Sequence, residues 1–316
     1  MKKITIILLF FFPLSSIAQD VHFSQFHTSS FLLNPALIGA SEHDYKAVLQ
    51  RRSQWESVSV PFSTFLLSLE QRDVFPTQSV GLQFINDIAG DSRFKTSGIN
   101  LGYSKLSKVS EDNIFRFGIQ LGLFQRSIVF DDLIFIDNEN LKRLDFIFSN
   151  IDLGFSNHYR LSNEITIETG IALYHFNRPK QSLTGDKSVK LNQKINFHSR
   201  VNYNLNSNLT LLPSVLYSTQ GNDKELLLSC NAQYLLKDAN NVILKSGFSN
   251  RWADAIIFNF GVEVDQFSTV VSYDINTSDL AVASNNKGGF EFALVYQWSI
   301  IKKKKRLTRE HCPKYL

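Results

Sequence analysis

The residues best suited to metal or nucleophilic chemistry in this 316-residue chain are seven histidines and two cysteines, and their spacing assembles no reactive centre. His22 and His27 lie five apart, with no cysteine or carboxylate cluster beside them to complete a metal shell. Asn86-Asp87-Ile88-Ala89-Gly90-Asp91 gathers enough oxygens for a calcium ion, but Asp and Gly are also the ordinary formers of a surface turn. Asp131, Asp132, Asp137 and Glu139 form an acidic stretch that suits a cation or a basic partner, and equally a solvated loop. There is no Gly-x-Ser-x-Gly elbow, no His-Glu-x-x-His helix, no phosphate-cradling loop and no paired cysteine ligands. The pattern predicts a protein that binds rather than catalyses, with no cofactor.

Charge narrows the partners. The formal net charge is +4. Lys2, Lys3 and the run Lys302-Lys303-Lys304-Lys305-Arg306 account for more than the whole excess, so no basic stripe is left for nucleic acid. The terminal run suits anionic lipid or an acidic periplasmic protein. Cys230 falls in an alternating segment and Cys312 in the tail, which excludes a disulfide-stapled small fold.

The elements that would carry these residues alternate with a period of two. Phe115, Phe117, Ile119, Leu121 and Leu123 alternate with Arg116, Gly118, Gln120 and Gly122. Leu191, Ile195, Phe197, Val201, Tyr203 and Leu205 alternate with polar residues that include Lys194, His198 and Arg200. Phe290, Phe292, Leu294, Tyr296, Trp298 and Ile300 form one face near the end, and Ile256 to Val264 repeats the pattern opposite Glu263. Successive strand side chains face opposite sides, so these windows are strands with one apolar face.

About fourteen such segments are expected, near 45–54, 60–70, 79–87, 94–106, 113–124, 147–160, 164–174, 190–205, 208–218, 225–236, 241–250, 254–264, 268–276 and 288–301. Connections after the even-numbered segments from the sixth to the twelfth are short, while those after the fifth, seventh and thirteenth are long. That asymmetry, with 27 Phe, 10 Tyr and 3 Trp, predicts an all-β transmembrane outer-membrane barrel of about fourteen antiparallel strands over 44–301. Both termini are expected on the short-turn, periplasmic side. Lys194, Arg200, Arg116, Glu263 and His198 are expected in the lumen. A soluble pair of β-sandwiches is the rival fold, but no Pro/Gly linker divides the chain.

Three segments are expected outside the barrel. Residues 1–18 read as a signal peptide: Lys2-Lys3, the apolar run Ile4–Phe12, then Ser16-Ile17-Ala18, with cleavage after Ala18. Residues 19–43 are expected as an N-terminal periplasmic segment, and 302–316 as a basic periplasmic tail.

Asp20-Val21-His22-Phe23-Ser24-Gln25-Phe26 and Leu33-Asn34-Pro35-Ala36-Leu37-Ile38-Gly39 resemble the start of the PorP/SprF family of the type IX secretion system. In chain order the resemblance continues through Arg52-Ser53-Gln54-Trp55 and Pro61-Phe62-Ser63-Thr64, then Asn86-Asp87-Ile88-Ala89-Gly90. It ends with Ser272-Tyr273-Asp274-Ile275-Asn276, Ala283-Ser284, Gly288-Gly289-Phe290-Glu291 and Cys312-Pro313-Lys314. His27 and Ser29-Ser30 depart from the family pattern. The resemblance implies a non-enzymatic outer-membrane component that supports export or surface attachment of a large adhesin-like cargo, in adhesion or gliding. Implied partners are a secreted protein with a C-terminal sorting domain, periplasmic peptidoglycan-associated components, other secretion components and outer-membrane lipid. It assigns no role to Phe23, Ser24, Gln25, Asn34, Pro35 or the other signature residues. A porin for small solutes is the alternative, and an outer-membrane hydrolase lacks a nucleophile motif.

Overall fold

The structure is a computed structural model that describes residues 20–54, 61–90, 94–128, 144–182, 188–236, 242–278, 281 and 287–300. Fourteen antiparallel strands close into one barrel. They are β1 Tyr45–Gln54, β2 Phe62–Phe75, β3 Gln78–Ala89, β4 Phe94–Lys108, β5 Asn113–Ile128, β6 Leu144–Arg160 and β7 Ile165–Tyr174. Then follow β8 Lys194–Asn204, β9 Leu209–Gln220, β10 Asp223–Leu236, β11 Val242–Arg251, β12 Ala255–Val264, β13 Phe267–Asn276 and β14 Lys287–Trp298. Each strand pairs with its sequence neighbours, and β1 pairs with β14 to close the ring. Closure leaves no sheet edge running the length of the wall, the condition for a sheet to cross a bilayer. No helix among the described residues is long and apolar enough to cross a membrane.

All fourteen expected segments are strands. One boundary moves for a physical reason. The eighth was expected from 190, with Leu191 on its apolar face, but β8 begins at Lys194. Leu191 belongs to the preceding connection, where its N–H donates to Pro179 O (2.9 Å) and its side chain is buried.

Burial is inverted relative to a soluble sheet. Leu101, Phe117, Leu121, Leu123, Phe258 and Phe260 are each more than half exposed, while Gln83, Asn100, Gln120 and Asn196 on the opposite face are buried. A continuous exposed apolar surface with amides inside is stable only in hydrocarbon. At one end Phe267, Tyr296, Trp298 and Tyr45 form a stacked aromatic row across β13, β14 and β1, with ring centroids 4.4, 4.9 and 5.0 Å apart. Tyr159, Tyr203 and Tyr234 lie near the same ends of β6, β8 and β10. Such a girdle marks a membrane–water boundary.

That end carries the short turns 76–77, 109–112, 161–164, 205–208 and 265–266. The opposite end carries the connections 129–143, 175–193 and 277–286.

Residues 20–40 lie inside the barrel. This overturns the expectation that 19–43 stands outside it. Phe23, Ser24, Gln25, Phe26, Phe31, Asn34, Pro35, Ala36 and Ile38 are all buried, and their partners are lumen-facing side chains. The physical reason is twofold. The apolar side chains of this segment need a dry surface, and the lumen needs matter to fill it. The path also corrects the placement of the N-terminal end. Asp20 N–H donates to Gln220 Oε1 (3.0 Å) at the long-connection end, whereas Ile300 N–H donates to Asp44 Oδ2 (3.1 Å) at the short-turn end. The segment therefore traverses the lumen before β1 begins.

Candidate functional site

The candidate site is the seat of this plug, and it starts from two polar residues flanked by two aromatic ones in Phe23-Ser24-Gln25-Phe26. Phe23 packs with Val48, Leu66 and Ile85. Phe26 packs with Leu33, Leu37, Leu216, Leu227 and Ile257. Two small apolar cores thus hold the segment, and between them Ser24 and Gln25 meet a buried charge network.

Four strands supply that network. Arg52 comes from β1, Arg251 from the end of β11, Asp274 from β13 and Glu291 from β14. A register shift in the β13–β14 ladder falls at Asp274, and bulges of this kind re-aim a side chain. Arg52 Nη2 lies 2.7 Å from Asp274 Oδ2, and Arg52 Nη1 lies 3.2 Å from Glu291 Oε2. Arg251 reaches Asp274 (3.1 Å), Glu225 (3.1 Å) and Asp254 (3.3 Å).

The plug enters through Ser24. Its N–H donates to Glu291 Oε2 (2.7 Å), and its hydroxyl donates to the Asp274 carboxylate, both of whose oxygens are 2.8 Å away. The same hydroxyl oxygen accepts from Arg52 (2.5 Å) and Arg251 (2.9 Å). Gln25 N–H donates to Glu291 Oε1 (3.0 Å), which also accepts from Gln50 (2.7 Å). Buried charges persist only when paired and hydrogen-bonded, and here the plug backbone supplies two of the donors.

The second seat is a trough of glycines. Gly81, Gly102, Gly118, Gly154 and Gly170 sit on β3 to β7, facing inward. A Cβ at Gly118 would lie 2.3 Å from Ala36 N, one at Gly154 2.1 Å from Asn34 Oδ1, and one at Gly102 2.2 Å from Ile38 Cδ1. Only glycine lets the wall approach the plug this closely. Into the trough fall the one-turn helix α1 (Ser30–Leu33) and the 3-10 turn Pro35–Leu37. Asn34 is fully buried. Its Oδ1 accepts from Ala36 N–H (2.9 Å) and caps that turn. Its amide hydrogens are shared among Phe155 O (2.9 Å), Ile171 O (3.2 Å) and His198 Nε2 (3.1 Å). Tyr174 donates to Phe31 O (3.0 Å), and Ser104 to Ile38 O (2.5 Å).

Both ends are tied. Asp20 meets His175 Nε2 at 2.5 Å. Burial alone would raise its carboxyl, but His175 and Lys194 more than offset this and hold it below the usual carboxylate range. At the other end Gly39 N–H donates to Glu70 Oε2 (2.8 Å). Among the described residues no group of three or more His, Cys, Asp or Glu side chains is placed to hold a metal ion, around His22 and His27 or elsewhere. Burial, the largest cause, lowers both to about 3, against the Glu225 carboxylate near His22 and with nearby cations adding to the effect at both.

The sequence-expected residues divide accordingly. Phe23, Ser24, Gln25, Asn34, Pro35 and Asp274 come together in the two seats. Gln54 pairs with Phe62 and Gly289 at the end of β1, and a Cβ on Gly289 would lie 3.1 Å from Gln54 Cγ. Tyr273 points outward, Pro61 is exposed, and Gly90 takes a left-handed φ of 64° in its turn. Asp87 accepts from Thr64 (2.7 Å). His198, Arg200, Arg116 and Glu263 lie on inward faces, as does Lys194. Trp55, Asp91, Asp131, Asp132, Asp137, Glu139, Lys302, Lys303, Lys304, Lys305, Arg306, Cys312 and Pro313 lie outside the described residues. Sequence reasoning gave Arg52 no role and missed Arg251 and the glycine trough. The available signal was glycine at inward positions where a hydrated lumen would favour polar side chains.

Comparison with known proteins agrees on the fold. The Ralstonia pickettii toluene transporter TbuX is 8% identical with a TM-score of 0.55, over 86% of this chain and 94% of that one. The Pseudomonas putida toluene transporter TodX is 9% identical with a TM-score of 0.51, over 84% and 91%. Identities this low speak for the barrel alone. No curated protein matches the chain in sequence. The family model described as type IX secretion system membrane protein PorP/SprF matches residues 15–296. That span takes in both plug seats and almost the whole barrel, and the chain belongs to the PorP/SprF family of type IX secretion system membrane proteins, as an outer-membrane β-barrel component.

Proposed function

We propose that this barrel works by binding, supporting the export or surface attachment of a large adhesin-like cargo protein, and that it does not conduct small solutes. One observation carries the choice between these readings: the plug runs through the lumen and is held at Ser24 by a buried ion network. A solute channel needs a continuous wet path, and a plug fixed by buried charges opposes one. In this reading the long connections face the cargo, whose C-terminal sorting domain is the recognised part. The short-turn end and the tail Lys302–Arg306 face periplasmic partners, including peptidoglycan-associated components, once the leader is removed after Ala18.

The test compares cell-surface and secreted proteomes with and without the gene. Loss of one or a few large surface proteins, with other secretion intact, is the expected result. An unchanged proteome together with stable single-channel conductance of the purified barrel would replace this reading with the porin.

A further inference from the structure

Between the plug and strands β7 to β14 and β1, the lumen widens toward the short-turn end into a vestibule of about 280 Å³. Three cation–carboxylate pairs line it or border it. Lys46 lies 3.6 Å from Glu70, Lys245 2.6 Å from Glu263, and Arg200 3.5 Å from Glu168. The two lysines have further acceptors: Lys46 donates to Thr28 O (3.0 Å) and Lys245 to Ser268 Oγ (2.7 Å). Arg200 differs. Its contact with Glu168 is long, and its buried Nε has no hydrogen-bond partner among the described residues. Ser214 Oγ, on the residue paired with Arg200 across the β8–β9 ladder, is likewise buried without a partner.

The neighbouring strands add positive charge to this corner. His158, Glu168, Arg200 and Ser214 follow one another in a cross-strand row over β6 to β9. Arg116 on β5 pairs with Ser156, two residues from His158 on the same face, and feels Glu168 as its main opposite charge. Among the described residues no acceptor contacts its half-buried guanidinium. Arg160 stands two residues beyond His158 at the rim. Two guanidinium groups, those of Arg116 and Arg200, thus share the Glu168 carboxylate. The plug side has the same sign. His27 lines the vestibule with its Nδ1 buried and unpartnered, and the charges it feels are Arg200, Lys245 and Lys46.

We propose that the corner formed by Arg200 and Ser214, floored by His27 and with Arg116 adding positive charge from β5, binds an anionic oxygen group, the free carboxylate of an extended peptide entering from the short-turn end. The planar guanidinium fork matches a carboxylate in two parallel hydrogen bonds, and the serine hydroxyl supplies a third donor. A bare phosphate would satisfy the same donors. The rest of the vestibule favours a peptide: Asn231, Gln233, Asn259 and Gln297 line it with amides, which donate and accept as a peptide backbone requires. The inference goes beyond the secretion reading and does not depend on which cargo is served.

The test uses the full-length barrel in detergent micelles and a short dye-labelled Gly-Ser peptide, as the free acid and as the C-terminal amide, with inorganic phosphate as competitor. Fluorescence anisotropy should show the acid binding about tenfold more tightly than the amide. Arg116→Gln and Arg200→Gln should each weaken the acid about three- to tenfold and leave the amide unchanged. Lys224→Gln, at the opposite end, should change neither. Heat-modifiable gel migration checks that each variant is folded, and Ser214→Ala supplies a milder variant if one arginine change fails that check. Acid and amide binding equally, or acid binding insensitive to these changes, would overturn the proposal. Phosphate binding that depends on both arginines while acid and amide are indistinguishable would reassign the corner to phosphate. Absence of binding by every probe would remove the site.

Discussion

Replacing Arg52 with alanine removes a side chain that is 1% exposed and holds two buried carboxylates at once. Lost are the ion pairs to Asp274 (2.7 Å) and Glu291 (3.2 Å) and the hydrogen bond to Ser24 Oγ (2.5 Å). Asp274 keeps Arg251 (3.1 Å), so its charge stays compensated. Glu291 keeps only neutral donors, namely Gln50 and the N–H groups of Ser24 and Gln25. Removing one partner of a buried pair costs about 3–5 kcal/mol, a hundredfold to a few thousandfold in the occupancy of the seated plug. Amide hydrogen exchange reads this directly, because the N–H groups of Ser24 and Gln25 are themselves bonded to Glu291. Their protection should fall by at least about a hundredfold while strand amides and heat-modifiable migration persist. Arg52→Met with Glu291→Gln removes both charges together and should recover more than about 1 kcal/mol of the loss. Unchanged protection at Ser24 and Gln25 in Arg52→Ala would refute the argument, and would place the hold on the plug in the glycine trough alone.

Two further outcomes follow from the seats. Gly118→Ala puts a Cβ 2.3 Å from the Ala36 backbone nitrogen, so it should loosen residues 34–38 by about 1–3 kcal/mol, read as faster limited proteolysis of the plug with the barrel intact. His22 and His27 titrate near 3 when seated, against about 6.5 when released, so in that window the released state binds more protons. Seating is therefore fully present above about pH 6.5 and weakens as pH falls toward 3; the protection factor of the Ser24 amide, its exchange measured against the intrinsic rate at each pH, should fall between pH 7 and 5, and less so in His27→Phe.

Much of the wall was legible in the sequence. Alternation as strong as Phe117, Ile119, Leu121 and Leu123 admits only a strand, and turn lengths fixed which strand ends lie together. The lumen was not legible, because an inward glutamine looks the same whether it faces water or a buried backbone. Gln50, Gln83 and Gln120 carry no mark of their occupation. In the sequence Glu291 is one polar residue between Phe290 and Phe292, and only the fold brings it to Arg52, 239 residues away in the chain. The apolar content of Phe31-Leu32-Leu33 and Leu37-Ile38 was the signal against placing 19–43 in water. Its interpretation needed the trough, and inward glycines at Gly118 and Gly154 become a cavity only when neighbouring strands align them.

The bond between Ser24 and Glu291 joins residues 267 apart, and Arg52 and Gln50 on the first strand meet that same carboxylate on the last. During biogenesis the first strand waits for the last before the wall can be completed. Bringing ends so distant together costs about 5 kcal/mol in chain entropy. The hairpin-by-hairpin ladder lowers that cost for the sheet but not for a strap that must already lie within it. Until a strap threaded through a finished cylinder reached its seat, Asp274 and Glu291 would lack the donors that Ser24 and Gln25 supply. Docking of the strap and pairing of the first strand with the last thus share one carboxylate, that of Glu291, and a defect in Ser24, Arg52 or Glu291 should register as slower assembly in the membrane.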